Sequence, residues 1–300
     1  MKAVFSYLLL GLIRLIALLP FSVLYVVSDG LFLLIYRLLK YRVKVTRKNL
    51  RMAFPDKSDH ELSRIERAFY RHLCDIMVET IKSFSISEAE LRRRMKLANP
   101  ELLESFYQRG IPLIGITGHY GNWEWAAISL ALQSRFEALG LYLPLKDPVF
   151  NKAMMRSRSR FRLNLVSVKE ISEVMAQSAE RLSMWGFVVD QSPGKPEKAL
   201  WVDFLHQETP VAVGTEKYAR TYNKGVVFGR IRKLKRGYYT LEYEVVCELG
   251  SSTTEAEITR KHTAILERII AEQPEYWLWT HKRWKHRRPT GLPLYPAYPL

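Results

Sequence analysis

The residues best suited to chemistry are His119 and Glu124, which lie five positions apart in the segment His119-Tyr-Gly-Asn-Trp-Glu124. An imidazole titrates near neutrality and can take a proton from an alcohol. A carboxylate at this spacing, across a turn into a helix, can reach the other ring nitrogen and stabilise the imidazolium. Taken alone, the pair is also consistent with a structural loop histidine, so its context in the fold has to decide.

No nucleophile signature accompanies this pair. The chain has no Gly-x-Ser-x-Gly segment and no cysteine at a comparable strand-to-helix turn. The sequence therefore favours direct attack by a substrate hydroxyl, with His119 as the general base, over a covalent intermediate. We interpret a second polar set, His72, Asp75 and Glu79, as the polar edge of a helix, and we predict neither a metal nor a cofactor.

Two further pairs could contact substrate. Arg158 and Arg160 can bind phosphate groups bidentately, although for either arginine taken alone a solvated basic helix face is the default reading. Asp190 and Gln191 directly follow a strand-like run, at a position where α/β proteins often bind their ligands. The alternative interpretation is that these residues only cap the loop.

The last cationic candidates are His281, Arg283 and Lys285, which alternate with tryptophans near the C-terminus. One reading is a segment that faces substrate or the membrane interface. The other is aromatic packing with exposed cations. The residue pattern leaves both open.

The elements that must position these residues alternate between strands and helices. The apolar run Ile111–Thr117 predicts a buried strand, Gly118–Asn122 a turn, and Trp123–Gln133 a helix. Met184–Val189 repeats the buried-strand pattern and leads into Asp190. Such alternation is typical of a layered α/β domain.

Other segments define the borders of this domain. Ser58–Glu61 and Thr254–Glu257 fit capping boxes that open helices, and residues 226–246 resemble a β-hairpin. We predict a membrane anchor over residues 1–40, an α/β domain over residues 41–289 and a proline-rich tail over residues 290–300.

The N-terminus is almost entirely apolar from Val4 to Tyr36, interrupted by Arg14 and Asp29. Neither long uncharged stretch reaches the roughly 18 residues of a clean transmembrane helix, and Pro20 predicts a kink or a break into two helices. A membrane-inserted anchor or hairpin is favoured over a cleaved signal peptide or a buried core helix. The basic segment that follows, residues 42–51, indicates the cytoplasmic side and contact with anionic lipid.

Composition narrows the class of partner. Lys and Arg number 46 against 30 Asp and Glu, which leaves a net charge of +16. Such a surface favours an anionic partner: nucleic acid, phospholipid headgroups, an acidic protein or a phosphorylated substrate. The two cysteines, Cys74 and Cys247, match no ligand spacing, which excludes a disulfide scaffold and a cysteine-built zinc site and indicates a reducing compartment.

Over nearly its whole length the sequence resembles the lipid A biosynthesis acyltransferases, the lauroyl and myristoyl transferases of lipopolysaccharide assembly. The segments that carry the resemblance are the apolar N-terminus, Arg42…Asn49-Leu50…Ala53-Phe54-Pro55, His119…Glu124, Arg158-Ser-Arg160, Asp190-Gln191 and Pro274…Lys285. The His-x4-Glu form is a variant of the His-x4-Asp motif of glycerophospholipid acyltransferases and marks that superfamily. The aromatic-rich ending is the more specific part.

The resemblance implies a glycerophospholipid-acyltransferase-like α/β fold and transfer of a fatty acyl chain to a hydroxyl of a Kdo-bearing lipid A precursor. It implies acyl carrier protein as the donor, although acyl-coenzyme A carries the same phosphopantetheine arm. His119 would be the general base and Glu124 its partner, at the cytoplasmic face of the inner membrane. We expect anionic lipids, but no nucleic acid, among the partners.

Three other functions fit part of the sequence. Acylation of a glycerophospholipid or an aminolipid would use the same motif. A basic protein that binds nucleic acid would explain the charge, but no recognition motif supports it and the apolar N-terminus opposes it. A non-catalytic membrane scaffold would make His119 and Glu124 structural.

Overall fold

The computed structural model describes residues 2–299 and has a mixed α/β architecture built on a central sheet. Its helices are α1 Lys2–Leu18, α2 Phe21–Phe32, α3 Val43–Ala53, α4 Asp59–Lys82, α5 Glu88–Arg94, α6 Pro100–Gln108, α7 Trp123–Gln133, α8 Pro148–Arg158, α9 Ile171–Gln177, α10 Gly214–Thr221 and α11 Glu257–Glu272. Its strands are β1 Met95–Leu97, β2 Leu113–Thr117, β3 Glu137–Tyr142, β4 Asn164–Ser167, β5 Ser183–Val188, β6 Leu200–Phe204, β7 Gln207–Val211, β8 Gly225–Lys235, β9 Tyr238–Cys247 and β10 Leu294–Tyr295.

The central sheet has seven strands in the order β1-β9-β8-β2-β5-β3-β4. Strands β8, β2, β5, β3 and β4 run parallel, and β9 turns back beside β8 as the predicted hairpin. Because β2 and β5 are parallel neighbours, their carboxyl ends meet at one edge of the sheet.

Helices cover both faces of this sheet, because the strand residues alternate between two apolar cores. On β2, Leu113 belongs to one core, which α5, α6 and α7 complete. Its neighbours Ile114 and Ile116 belong to the other core, which α3, α4 and α11 complete. The α/β class predicted from the alternating pattern is the class observed.

The apolar N-terminus forms two helices that break at Pro20. Proline lacks the N–H that would continue α1, and it becomes the N-cap of α2 with a φ of −65°. The Lys82 ammonium of α4 donates to the carbonyls of Ala17 (2.9 Å) and Leu19 (2.8 Å), which the break leaves without helical partners. A π-helical segment, Leu33–Leu38, extends α2.

One apolar stretch, Phe21–Leu38, has the length and composition to cross a membrane, with a mean hydropathy of 1.6 and 17% of its residues buried. Helix α1 is shorter. Its inward stripe includes Leu10 and Ala17, whereas Phe5, Leu8 and other apolar side chains are exposed.

At two helix starts, side-chain carboxylates bind the free backbone N–H groups. Ser58 and Glu61 form the predicted capping box at α4. At α11 only part of the predicted box forms. The Glu257 carboxylate accepts the Thr254 N–H at 3.0 Å, but the helix begins at Glu257, after Ala256 in the left-handed region (φ 67°). The buried Glu216 carboxylate of α10 accepts the N–H groups of Ala256 (2.6 Å) and Thr259 (3.0 Å), so a distant acidic side chain caps this helix.

The segment predicted as a proline-rich tail, residues 290–300, contributes β10 within its described part. This strand pairs with β6, which in turn pairs with β7, in a separate three-stranded sheet. The division into anchor, domain and tail stays a prediction.

Candidate active site

His119 lies in the turn that connects β2 to α7, at the carboxyl edge of the central sheet. The turn is held on one side by the C-terminal segment: Leu278 N–H donates to His119 O (3.1 Å), and Gly121 N–H donates to Tyr276 O (3.0 Å). Gly121 has a φ of +59°, and a Cβ there would approach Ile231 at 2.7 Å, so the turn requires glycine. These backbone hydrogen bonds therefore fix the position of the His119 backbone, from which the imidazole projects.

Asp190, at the end of the neighbouring strand β5, binds this histidine twice. One carboxylate oxygen lies 2.6 Å from His119 Nδ1, and the other accepts the His119 backbone N–H at 2.8 Å. The Trp277 indole N–H donates to the second oxygen at 2.7 Å. An ionised carboxylate only accepts, so Nδ1 carries the proton and Nε2 presents its lone pair. The amide of Gln191 lies 3.2 Å from that nitrogen and donates to it.

The electrostatics of the pair favour an imidazolium. Burial by itself would lower the pKa of His119, but the charge and hydrogen bond of Asp190, helped by the charge of Glu124, raise it above its ordinary value. Burial would likewise raise the pKa of Asp190, yet His119 and the Trp277 indole lower it to about 2. His119 can therefore take up a proton beside a carboxylate that stays ionised.

Glu124 lies in the first turn of α7, and its position corrects the predicted geometry. The hydrogen bond to the ring that the five-residue spacing suggested is made by Asp190 instead. The Glu124 carboxylate is held by the Arg158 guanidinium, at 2.7 and 3.0 Å from Nη2 and 3.2 Å from Nε. The reason is that α7 carries Glu124 away from the sheet edge, towards α8, while Asp190 leaves β5 directly beside the ring.

The two predicted phosphate-binding arginines have different surroundings. Arg158 lines the same cavity as His119 and Glu124. Arg160 instead donates to the backbone carbonyls of Ser83 and Ile86, both at 2.9 Å, and so ties the end of α8 to the end of α4. The structure therefore brings only Arg158 of this pair to the site.

The three cationic candidates near the C-terminus also have different surroundings. The His281 ring accepts the Ser192 N–H at 3.0 Å through Nε2, and burial lowers its pKa to about 4. Arg283 is buried and donates to Pro210 O at 2.8 Å. Lys285 is exposed. Of the two readings of this segment, aromatic packing describes its tryptophans, because Trp277 and Trp279 are buried against each other beside Asp190.

The set His72, Asp75 and Glu79 does not form a metal site, and among the described residues 2–299 no group of three or more His, Cys, Asp or Glu side chains could hold one. Asp75 is paired with Lys233 (3.1 Å) and Arg236 (2.7 Å). These side chains join α4 to the β8–β9 hairpin.

A cavity of about 440 Å³ lies between α7 and the sheet, with His119, Glu124 and Arg158 in its wall. The rest of its lining is mostly apolar and includes Trp123, Ala126, Ala127, Leu130, Leu141, Leu163, Leu165, Met184, Leu241 and Tyr243. Several lining side chains are exposed, among them Leu143 and Val188, so the cavity opens to the surface on that side.

Sequence reasoning missed this cavity and the role of Asp190 as the ring partner. Asp190 was a candidate only for substrate contact. A usable signal existed, because two buried strands that lie side by side in a parallel sheet bring their following residues, here Gly118–His119 and Asp190, to one edge. The cavity left no comparable signal in the sequence, since its lining comes from many separate segments of the chain.

A partly exposed histidine, paired with a buried carboxylate, lies beside a mostly apolar cavity. Such an arrangement has the chemistry to activate a hydroxyl next to a long apolar chain. The sequence model of the bacterial lipid A biosynthesis acyltransferases matches residues 1–286. The chain belongs to this family, and it is an acyltransferase of lipid A biosynthesis.

Individual relatives agree with this assignment. A lipid A biosynthesis lauroyltransferase of Escherichia coli K12 is 24% identical over 96% of this chain and 93% of its own length. A lipid A biosynthesis palmitoleoyltransferase of the same organism is 24% identical over 94% of this chain and 91% of its own length. A lipid A biosynthesis acyltransferase of Haemophilus influenzae is 21% identical over 82% of this chain and 78% of its own length.

Proposed function

We propose that this acyltransferase moves a fatty acyl chain from acyl carrier protein to a hydroxyl of a Kdo-bearing lipid A precursor, with His119 as the general base. The observation that carries the proposal is the position of His119, whose ring is held by Asp190 and lines the apolar cavity. The cavity suits the acyl chain of a thioester, and the ring suits activation of the hydroxyl that attacks it.

In the proposed reaction, the acceptor oxygen attacks the thioester carbonyl carbon while its proton passes to His119 Nε2. Collapse of the tetrahedral intermediate breaks the carbon–sulfur bond, and the imidazolium returns the proton to the departing thiolate. The products are an ester and a free thiol, so no oxidant or second nucleophile is needed. Gln191 is exposed, and its amide must move aside because it occupies the lone pair on Nε2.

Asp190 and Glu124 have separate roles in this proposal. Asp190 orients the ring and stabilises the imidazolium by direct contact. Glu124 assists through its charge, which also favours the imidazolium, and it holds Arg158 against the cavity. Arg158 and the exposed Lys285 are then the candidate contacts for phosphate groups on the acceptor or on the phosphopantetheine arm.

The donor is proposed on charge and on the family. Acyl carrier protein is small and acidic, and a chain with a net charge of +16 attracts it electrostatically. Acyl-coenzyme A is also anionic, so the two donors must be compared directly.

We further propose that α1 and α2 associate with the cytoplasmic face of the inner membrane. Their exposed apolar side chains and the basic segment 42–51 support this. A Leu8→Asp/Leu12→Asp variant should shift from the membrane fraction to the salt-washed fraction, whereas wild type should require detergent. Wild-type protein that stays in solution without detergent would contradict the proposal.

The decisive experiment incubates the purified enzyme with Kdo-containing precursor and a ladder of acyl-carrier-protein thioesters, followed by mass spectrometry of the lipid. Parallel reactions contain acyl-coenzyme A as the donor or lysophosphatidic acid as the acceptor. We expect acylated precursor with the carrier-protein donor. Product formed only from lysophosphatidic acid would replace the proposal with glycerophospholipid acylation.

A further inference from the structure

Three neighbouring strands of the central sheet lack side chains at the same level. Gly115 of β2 is in register with Gly186 of β5, and Gly186 is in register with Gly140 of β3. All three line the cavity beside His119. We call them the glycine row. Because side chains of neighbouring strands stand side by side on one face, three glycines in register leave a line across the sheet on which no strand side chain rises into the cavity.

The glycine row lies halfway into the cavity. Thr117 and Val188 are paired two residues closer to the carboxyl edge, near His119, and Met184 lies two residues further in. Two residues of a strand span roughly 6.6 Å. A chain that enters beside His119 therefore crosses the glycine row before it meets Met184.

Met184 lies on the inner side of the glycine row. Its side chain is fully buried and lines the cavity, and its terminal Cε lies 2.5 Å from where a Cβ on Gly115 would be. The thioether thus bends over the glycine row into the space that Gly115 leaves open. Methionine is unbranched and adaptable, which allows its tip to act as a fitted end wall.

The space at Gly186 is of a different kind. A Cβ added there would meet Leu130 Cδ2 and the Leu139 carbonyl oxygen, both at 3.7 Å, which are ordinary contacts. Alanine at Gly186 therefore fits the fold and takes volume from the middle of the cavity alone. At Gly140 a Cβ would lie 3.2 Å from Leu163, so Gly186 is the cleaner position for a test.

We infer that the glycine row and Met184 select the length of the acyl chain: the glycines give the chain passage along the sheet, and the Met184 side chain sets where it must end. The inference rests on the proposed function only in taking the cavity as the acyl site. One methylene too many or too few in a closed apolar pocket typically changes kcat/KM by about tenfold or more. Small changes at these positions should therefore move the preferred length visibly.

The test uses full-length Gly186→Ala and Met184→Ala in detergent. Met95→Ala is the control, because Met95 is equally buried in the same core but does not line the cavity. A fluorescent fatty acid bound to each protein is displaced by a ladder of saturated fatty acids, a readout that needs neither donor nor acceptor. The same proteins are assayed for transfer with the ladder of acyl-carrier-protein thioesters.

We expect Gly186→Ala to shift both profiles to shorter chains, with at least about a tenfold loss for the chain that wild type prefers. Met184→Ala should shift both profiles to longer chains, and Met95→Ala should leave the profile of wild type. Thermal unfolding checks each fold, and Met184→Leu, which shortens the side chain at similar volume, replaces Met184→Ala if that variant does not fold.

Two outcomes separate this inference from the proposed function. Unshifted displacement profiles in folded Gly186→Ala and the Met184 variant would overturn the inference, whatever the transfer assay shows. Shifted displacement profiles without acyl transfer to any lipid by wild type would uphold it and overturn the proposed function instead.

Discussion

Two buried carboxylates bind opposite ends of the turn from His119 to Asn122. They differ in whether a hydrogen-bond partner can carry a positive charge. Asp190 binds the His119 end, where its partner can carry a positive charge. Glu79 binds the other end, where it accepts from Asn122 Nδ2 (2.6 Å) and the hydroxyls of Tyr239 (2.8 Å) and Tyr25 (3.0 Å). All three of these partners are neutral.

The charge of the partner decides the state of each acid. Burial would raise both pKa values, yet the pKa of Asp190 falls to about 2 beside the imidazole. The pKa of Glu79 rises to about 7, because neutral donors and the more distant Lys233 offset its burial only in part. Two acids that are both buried therefore differ in their charge near neutral pH: Asp190 stays ionised beside the imidazole, whereas the pKa of Glu79 lies near neutrality.

The largest expected effect comes from removing the imidazole of His119, the proposed general base. His119→Ala should lower kcat by at least ~10²-fold with little change in the free energy of unfolding. His60→Ala, which alters an exposed histidine of α4, is the matched control and should keep wild-type kinetics. A near-native rate in purified His119→Ala would falsify the catalytic role.

The second largest effect is expected from removing the negative charge of Asp190 beside His119. Asp190→Asn is expected to lower kcat/KM roughly 10²-fold, because the ring loses its orientation and the imidazolium its counter-charge. Asp190 raises the pKa of His119, so its loss must lower that pKa and move the acidic limb of the pH–rate profile to lower pH. If the limb keeps its midpoint, Asp190 does not act on His119. The exposed Asp203→Asn serves as the control.

Glu79→Gln should affect stability rather than the pH–rate midpoint. The amide N–H₂ would face a donor, which costs about 1–3 kcal/mol of the free energy of unfolding. Glu79 has a folded pKa above its unfolded value of 4.5, so wild type should lose stability as pH rises from there through about 7. The variant should lack this component. Chemical unfolding over that pH range, with exposed Glu101→Gln as the control, measures both effects.

The smallest effect is expected at Glu124. Glu124→Gln should lower kcat/KM about tenfold, because Asp190 still holds the ring while Arg158 loses its partner and His119 a nearby negative charge. Glu104→Gln breaks a comparable pair with Arg135 at the surface and should change nothing. A loss as large as that of Asp190→Asn would mean that Glu124, not Asp190, is the principal partner of the base.

More of the fold than of the candidate active site could be predicted from the sequence. Periodicity and turn residues predicted β2, the turn and α7 with bounds within two residues of those observed, because these signals are local. The hydrogen-bond partner of the His119 ring was predicted wrongly, because sequence distance favoured Glu124, five residues away, over Asp190, 71 residues away. Only the strand order makes Asp190 the neighbour. The cap of α11 was predicted only in part for the same reason, since Glu216 reaches this helix start from another helix.

The contact of Lys82 with the break between α1 and α2 has a consequence for where the reaction takes place. A flexible tether would let the catalytic domain drift above the lipid surface. Here Lys82 of α4 donates hydrogen bonds to the carbonyls of Ala17 and Leu19. Arg236 of the hairpin binds Asp29 of α2 at 2.7 Å. These contacts join the apolar helices to α4 and to the β8–β9 hairpin, which lies beside the strand β2 that leads to His119. If α1 and α2 insert into the bilayer as proposed, these contacts set the height of the His119 imidazole above the lipid headgroups.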